Sequence, residues 1–175
     1  MSATDADLRS QLQTLLDQKS IADKLALWCS CADTRDMSRM AEVFADDLVW
    51  DFGGETVDHS LDAVIERLVT HVGAASNCGD RQIHLANVRV DVDGDVADSD
   101  AYFFAASAGL GPFKGQALLQ WGRYRDTWQR RVAGWRIVRR VYENRFDEGP
   151  MEIVYPTGAA AMWQEGDKRR TESTK

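Results

Sequence analysis

The second half of the chain alternates apolar and polar side chains over long stretches, and this pattern constrains the fold more than any other feature. Turn residues interrupt it at Asp93-Gly94 and Ala133-Gly134, and a glycine-rich loop interrupts it at 109–115. Strands joined by short turns pair antiparallel, so we expect a long meander. The predicted strands are 82–92, 96–107, 116–130 and 135–146.

The first part of the chain shows helical periodicity instead. Apolar residues recur at helical spacing over 5–32, which predicts one long helix or two shorter ones. A second helix is predicted at 37–45 with Asp36 as its N-cap, followed by a strand at 48–52, a turn with a short return strand, and a third helix capped by Ser60. Helices first and a meander second predict an α+β fold with a curved sheet wrapped around helices.

Length and charge narrow the functional classes. A chain of 175 residues fits one domain, predicted at 1–148, with 149–175 as a C-terminal extension that serves as a lid or an intersubunit segment. The net charge of -7 argues against a nucleic-acid partner. No apolar run approaches the length that spans a membrane, so we expect a cytoplasmic protein without membrane contact.

Cysteines and glycines give no sign of a cofactor. Cys29, Cys31 and Cys78 form neither an even disulfide framework nor two pairs of zinc ligands, so reduced, structural thiols are expected. The glycine-rich loop lacks the spacing of a phosphate-binding motif. We therefore expect neither a metal nor another cofactor.

A histidine stands within the first strand of the meander. Strict alternation places His84 on the same face as Val88, Val90 and Val92, which should be buried, and Asn87 on the opposite face. A histidine on an apolar face is either a core residue with a hydrogen-bond partner or a catalytic group. We expect His71, on the third helix, and His59, in a turn, to be surface residues.

Three stretches together resemble a known family: IADKLALWCSCADTRDMSRMAEVFADDLVWDF, HLANVRVDVDGDVADSDAYF and GRYRDTWQRRVAGWRIVRR. Their order and spacing resemble SnoaL-like proteins of the nuclear transport factor 2-like superfamily over residues 10–148. The resemblance implies a cone-shaped α+β half-barrel around an apolar pocket. Members of the superfamily include dehydratases, a dehydrochlorinase, cyclases, ketosteroid isomerase and noncatalytic subunits. Members form dimers or trimers, so a homo-oligomer is expected.

The resemblance also implies a catalytic pair. In dehydratase and dehydrochlorinase members a His after the third helix pairs with an Asp after the first, and these positions match His84 and Asp33 here. An imidazole has a pKa suited to proton abstraction, and a carboxylate on its other nitrogen orients it. Trp28 departs from the family, because several dehydratases carry a Tyr there. Either a protonating role then falls to Tyr124, Tyr102 or water, or the reaction differs from dehydration.

Other side chains are candidates for substrate contact. Some members place an Arg in the pocket near the end of the last strand, and Arg140 and Arg145 lie in that region, although a one-residue change of register would reverse which of them points inward. Aromatic residues could line a pocket for a flat or polycyclic ligand. They are Trp28, Trp50, Phe52, Phe103, Phe104 and Trp121.

The hypothesis from the sequence is a cofactor-independent lyase for a hydrophobic, aromatic or polycyclic small molecule. His84, oriented by Asp33, would remove a proton while water, halide or a small carbonyl fragment such as formaldehyde leaves. One alternative is an isomerase or cyclase that uses the same base. Another is a noncatalytic ligand-binding protein, such as the small subunit of a ring-hydroxylating dioxygenase.

Overall fold

The elements follow the predicted order in a computed structural model, which describes residues 4–53 and 56–155. The predicted helices at 5–32 and 61 onwards are present, but the one predicted at 37–45 is a 3₁₀ helix, Met37–Glu42. The helices are α1 (Asp5–Thr34) and α2 (Leu61–Val72), and the strands are β1 (Phe44–Gly53), β2 (Thr56–Asp58), β3 (Cys78–Asp93), β4 (Val96–Gly109), β5 (Ala117–Arg131) and β6 (Gly134–Glu148). Short 3₁₀ helices also occur at Gly111–Phe113 and Met151–Ile153.

The six strands form one curved sheet that does not close on itself. Their order is β2-β1-β6-β5-β4-β3, and the four long strands pair antiparallel as predicted. The contact of β1 with β6 is parallel, and β2, α2 and the other three long strands lie between these two strands in the chain. The α+β class with helices against one sheet face is confirmed.

Helix α1 runs along the edge strand β3 and satisfies its outward-facing backbone groups. An Asp33 Oδ1 atom accepts a hydrogen bond from the Ile83 N–H at 2.9 Å. The Gln18 Nε2 atom donates to the Val90 carbonyl at 3.0 Å. An uncovered strand edge can pair with another chain, so these bonds both position the helix and protect the edge.

The core lies between the inner face of the sheet and the two helices. The second half of α1 contributes its predicted stripe, Ile21, Leu25, Trp28 and Ala32, whereas its first half leaves Leu8, Leu12, Leu15 and Leu16 exposed. The three cysteines are buried and form no disulfide. No helix in the described part of the chain combines the length and the apolar composition needed to cross a membrane.

Strand β3 changes phase at Asn87. Ala86 lies opposite Tyr102, but Arg89 lies opposite Asp100, so β3 contains one more residue than β4 across this interval. Asn87 has a φ of 52°, a left-handed conformation that Asn adopts more readily than most residues. This is a β-bulge, and the residues before it face the opposite way from the prediction of uninterrupted alternation.

The bulge corrects the predicted position of His84. Ile83 is buried, whereas His84 is exposed on the outer face and stacks on Phe104 with ring centroids 6.3 Å apart. Beyond the bulge, Val90 and Val92 pack against the core as predicted. The prediction that His84 shares their buried face is wrong. One extra residue at the bulge makes the side chains before it point to the opposite sheet face from the one predicted.

The bulge makes the effect of substitutions at Asn87 predictable. N87G should leave the free energy of unfolding nearly unchanged, because glycine adopts positive φ without strain. N87V should lower it by about 1–2 kcal/mol, since a β-branched residue is strained in that conformation. Urea denaturation measures both, and A86V, one position earlier in the strand, is the control. Equal stability of N87V and N87G would contradict the assignment of the bulge.

Candidate functional site

A cavity opens between the helices and the inner face of the sheet. Its free volume is about 40 Å³, which holds a few water molecules and is much smaller than an aromatic ligand. The site is therefore nearly filled by its own side chains. The described residues that line it are Trp28, Trp50, Phe52, Leu68, His71, Arg81, Phe103, Gln120, Tyr124, Tyr142, Val154 and Tyr155.

One wall of the cavity is aromatic. Trp28 packs edge-on against Trp50 at 5.3 Å, and Phe103 lies 4.8 Å from Tyr124, between ring centroids in each case. Alternation along β1, β4 and β5 brings these rings to the inner face. Such a wall suits a flat apolar ligand.

Behind this wall lies a fully buried ion pair. Arg140 donates two hydrogen bonds of 2.7 Å to Asp126, and its guanidinium carbon lies 4.2 Å from the centre of the Tyr124 ring and 5.2 Å from that of Trp28. Burial alone would lower the pKa of Arg140, but the Asp126 carboxylate outweighs burial and holds that pKa above its ordinary value. Arg140 therefore stays charged, is neutralised by Asp126, and contacts the aromatic faces with its guanidinium.

His71 contributes an imidazole to the cavity. His71 is only 7% exposed, because it lies three positions after Leu68 and therefore continues the buried stripe of α2. Burial, reinforced by the charges of Arg67 and Arg81, lowers the pKa of His71 from 6.5 to about 4. The ring is thus neutral at pH 7 and available to accept a proton.

Arg81 brings a positive charge into the same space from β3. Its Nε atom is buried and has no acceptor among the described residues. Its charge lowers the pKa of Asp33, His71, Tyr124 and Tyr155, although burial is the largest influence on each of them. Among the described residues that line the cavity there is no Asp or Glu to neutralise it.

The hydroxyl groups of two tyrosines, Tyr142 and Tyr155, also belong to the cavity. Gln120 donates from Nε2 to the Tyr155 hydroxyl and to Asp147 Oδ1, both at 3.0 Å. Tyr155 also hydrogen-bonds with Tyr142, and its ring meets the His71 ring edge-on at 5.2 Å. Burial raises the pKa of both tyrosines, so both hydroxyls remain protonated and can donate.

The residues predicted for substrate contact divide between the two sheet faces. Trp28, Trp50 and Tyr124 line the cavity. Tyr102 lies on the outer face, 48% exposed beneath Arg123, because β4 alternation points Ala101 and Phe103 inward instead.

The two arginines of β6 that were predicted as candidates lie in different environments. Arg140 points inward but lies behind the cavity wall. Arg145 is exposed and donates to Glu143 at 2.8 Å.

The predicted pair of Asp33 and His84 is near in space but not joined. Asp33 uses its carboxylate to accept from Ile83, and no hydrogen bond or ion pair links it to His84 within the described ranges. Burial raises the pKa of Asp33, and the charges of Arg81 and His84 partly oppose this. A catalytic role for the pair stays a prediction, although its premise of an inward imidazole does not hold.

The sequence analysis missed several cavity residues, including His71, Arg81 and Tyr142. The expectation that His71 lies on the surface is wrong, although its spacing from Leu68 gave the signal, whereas His59 is exposed as expected. Arg81 could be identified only by recognising Asn87 as a bulge residue. No group of three His, Cys, Asp or Glu side chains in the described part of the chain could hold a metal ion.

Comparisons with known proteins place this geometry in context. A family model described as a SnoaL-like domain matches residues 13–141. A search of proteins with curated functions gives no match.

Several solved structures share the fold. A candidate aromatic ring hydroxylase from Novosphingobium aromaticivorans is 26% identical, with a TM-score of 0.69 over 79% of this chain and 96% of that one. A candidate scytalone dehydratase from the same species is 17% identical, with a TM-score of 0.71 over 83% and 95%. The hexachlorocyclohexane dehydrochlorinase of Novosphingobium barchaimii is 18% identical, with a TM-score of 0.69 over 80% and 94%.

The burial of His71 predicts a pH effect on stability. Its pKa of about 4 lies below the ordinary 6.5, so the unfolded chain binds a proton first as pH falls, and stability decreases between pH 6.5 and 4. The wild type should lose about 3 kcal/mol more than H71Q between pH 7 and pH 4 in urea denaturation. H84Q, which keeps His71, is the control. Equal losses in wild type and H71Q would contradict a buried neutral imidazole.

Proposed function

Because the chain belongs to the SnoaL-like domain family, we propose that it is a cofactor-independent lyase that acts on a small hydrophobic molecule within this cavity. One observation carries the proposal: a neutral imidazole and a guanidinium with an unpaired N–H share an apolar cavity. A base beside a positive charge is the pairing needed to remove a proton next to a group that becomes an oxyanion. The dehydratase and dehydrochlorinase folds found in the comparison support the reaction class.

We assign proton abstraction to His71 rather than to His84. His71 lines the cavity, whereas His84 faces away from it. A pKa near 4 makes the resting imidazole a weak base, and the charge of Arg81 is one cause. A substrate oxyanion beside Arg81 would offset that charge, so the basicity of His71 rises when substrate is bound.

The bond changes of an elimination then follow. A C–H bond of the substrate breaks, its proton moves to His71, and the electron pair forms a carbon–carbon double bond as the neighbouring group leaves with its own bonding pair. The proton on His71 then neutralises the leaving group, which restores the neutral imidazole. The net change is loss of one neutral molecule, and no oxidant is needed.

An isomerase using the same base would form a product of unchanged mass.

The small size of the cavity favours a different alternative, a binding protein whose pocket is closed by its own residues. Val154 and Tyr155 are the last residues that the structure describes, and both line the cavity. For a lyase, we propose that these two side chains move when substrate enters.

Turnover by histidine variants tests the assignment. Purified protein is screened by mass spectrometry against aromatic alcohols and ketones for loss of a small neutral molecule. With a substrate found in this way, H71Q should lower kcat/KM by about 10²- to 10⁴-fold, the usual contribution of a positioned base. H84Q should stay within about threefold of wild type, because its side chain is exposed on the other sheet face.

The outcomes separate the alternatives. Full activity in H71Q with lost activity in H84Q would contradict the assignment and restore the pair of Asp33 and His84. A product of unchanged mass would replace the lyase by an isomerase. Circular dichroism and the thermal midpoint of each variant show whether a loss of activity reflects unfolding instead.

A further inference from the structure

Two residues that line this cavity carry a buried N–H group without an acceptor in the described part of the chain, Trp50 Nε1 and Arg81 Nε. The indole of a third lining residue, Trp28, hydrogen-bonds with the Tyr124 hydroxyl and lowers the pKa of that tyrosine. Arg140 Nη1 also lacks an acceptor, but its guanidinium lies behind the cavity wall, over the rings of both indoles. Two further buried atoms lack partners, Ser107 Oγ and Asn144 Oδ1, and neither residue lines the cavity.

Donors without acceptors are rare in protein interiors, because a buried N–H that loses water without gaining a partner destabilises the fold. Clustering of such donors around one cavity indicates that an acceptor from outside the chain completes them. One water could satisfy both of them in the space that is present. A ligand oxygen bearing negative charge would satisfy the same donors and would also attract the Arg81 guanidinium, which the Asp33 carboxylate influences only from outside the described lining.

The charges around the cavity favour an anion. Arg140 is compensated by Asp126, whereas the described lining provides no carboxylate for Arg81. The whole chain carries a net charge of -7, so a positive interior is a local arrangement rather than a consequence of composition. A low-dielectric wall of aromatic rings strengthens the attraction between Arg81 and an anion.

We propose that the cavity binds a planar aromatic anion whose negative charge lies on oxygen, as in an aryl carboxylate. The aromatic wall receives the ring, and the Arg81 guanidinium with the Trp50 indole N–H receives the oxygen. The inference rests on the proposed function in two ways: it takes this cavity as the substrate site, and it requires Val154 and Tyr155 to move so that a ring fits. It adds the chemical class of the ligand.

Matched pairs of probes test the proposal without turnover. Benzoate is compared with benzamide, and 2-naphthoate with 2-naphthamide, by calorimetric titration of the full chain at pH 7. Wild type should bind each carboxylate about tenfold or more tightly than its amide, since a hydrogen bond to a charged group is stronger than one to a neutral group. R81Q should lose this preference while its affinity for the amide changes little.

Arg145 provides the matched control. It is an exposed arginine near the end of β6, and R145Q should keep the preference for the carboxylate. Equal affinities for acid and amide in wild type, a preference that survives R81Q, or no binding of any probe would each overturn the proposal.

The binding result is independent of the reaction. Preference for the carboxylate together with normal turnover in H71Q would disprove the proposed role of His71 alone. Turnover that depends on His71 without preference for an anion would disprove this inference alone.

Discussion

One extra residue in β3 determines which side chains enter the cavity. Because Asn87 adds a residue without a partner on β4, Arg81 and Ile83 face inward and His84 faces outward. Without the bulge, His84 would share a face with Val90 and enter the interior near the end of α1. The chemistry of the cavity therefore depends on a local backbone conformation: β3 supplies a guanidinium, and the imidazole comes from α2.

The buried pair of Arg140 and Asp126 gives the cavity its second distinctive property. A buried ion pair often adds little stability compared with apolar side chains of the same size, because both charges lose their hydration. Here the pair lies behind the aromatic wall, where aromatic faces contact the guanidinium. Its more specific effect is to hold a guanidinium, neutralised by Asp126, in a fixed position against the rings that line the cavity.

The sequence predicted the architecture well, since helical and strand periodicities are properties of local sequence. The long strands and the inward positions of Trp28, Trp50 and Tyr124 follow from them. The predicted homo-oligomer remains untested, although Phe146 and four leucines of α1 are exposed. The predicted C-terminal extension, 149–175, lies mostly outside the described residues.

The site was harder to predict. A bulge adds a single residue to a strand and is hard to recognise from the alternation of apolar and polar residues. Asn87 looks like any other polar strand residue in the sequence, and only its φ identifies the bulge. Because the bulge was not recognised, the prediction placed His84 on the inner face of the sheet, whereas the structure places it on the outer face. The burial of His71, by contrast, was readable from its place on the apolar stripe of α2.

The most direct test of the central claim is to observe the histidine rings while a ligand binds. The chain has three histidines, so their ring signals can be resolved by nuclear magnetic resonance and assigned with H59Q, H71Q and H84Q. During titration with 2-naphthoate, we expect the His71 signals to shift saturably while those of His59 and His84 stay unchanged. A saturable shift confined to His84 would place the binding site on the outer face and contradict the account.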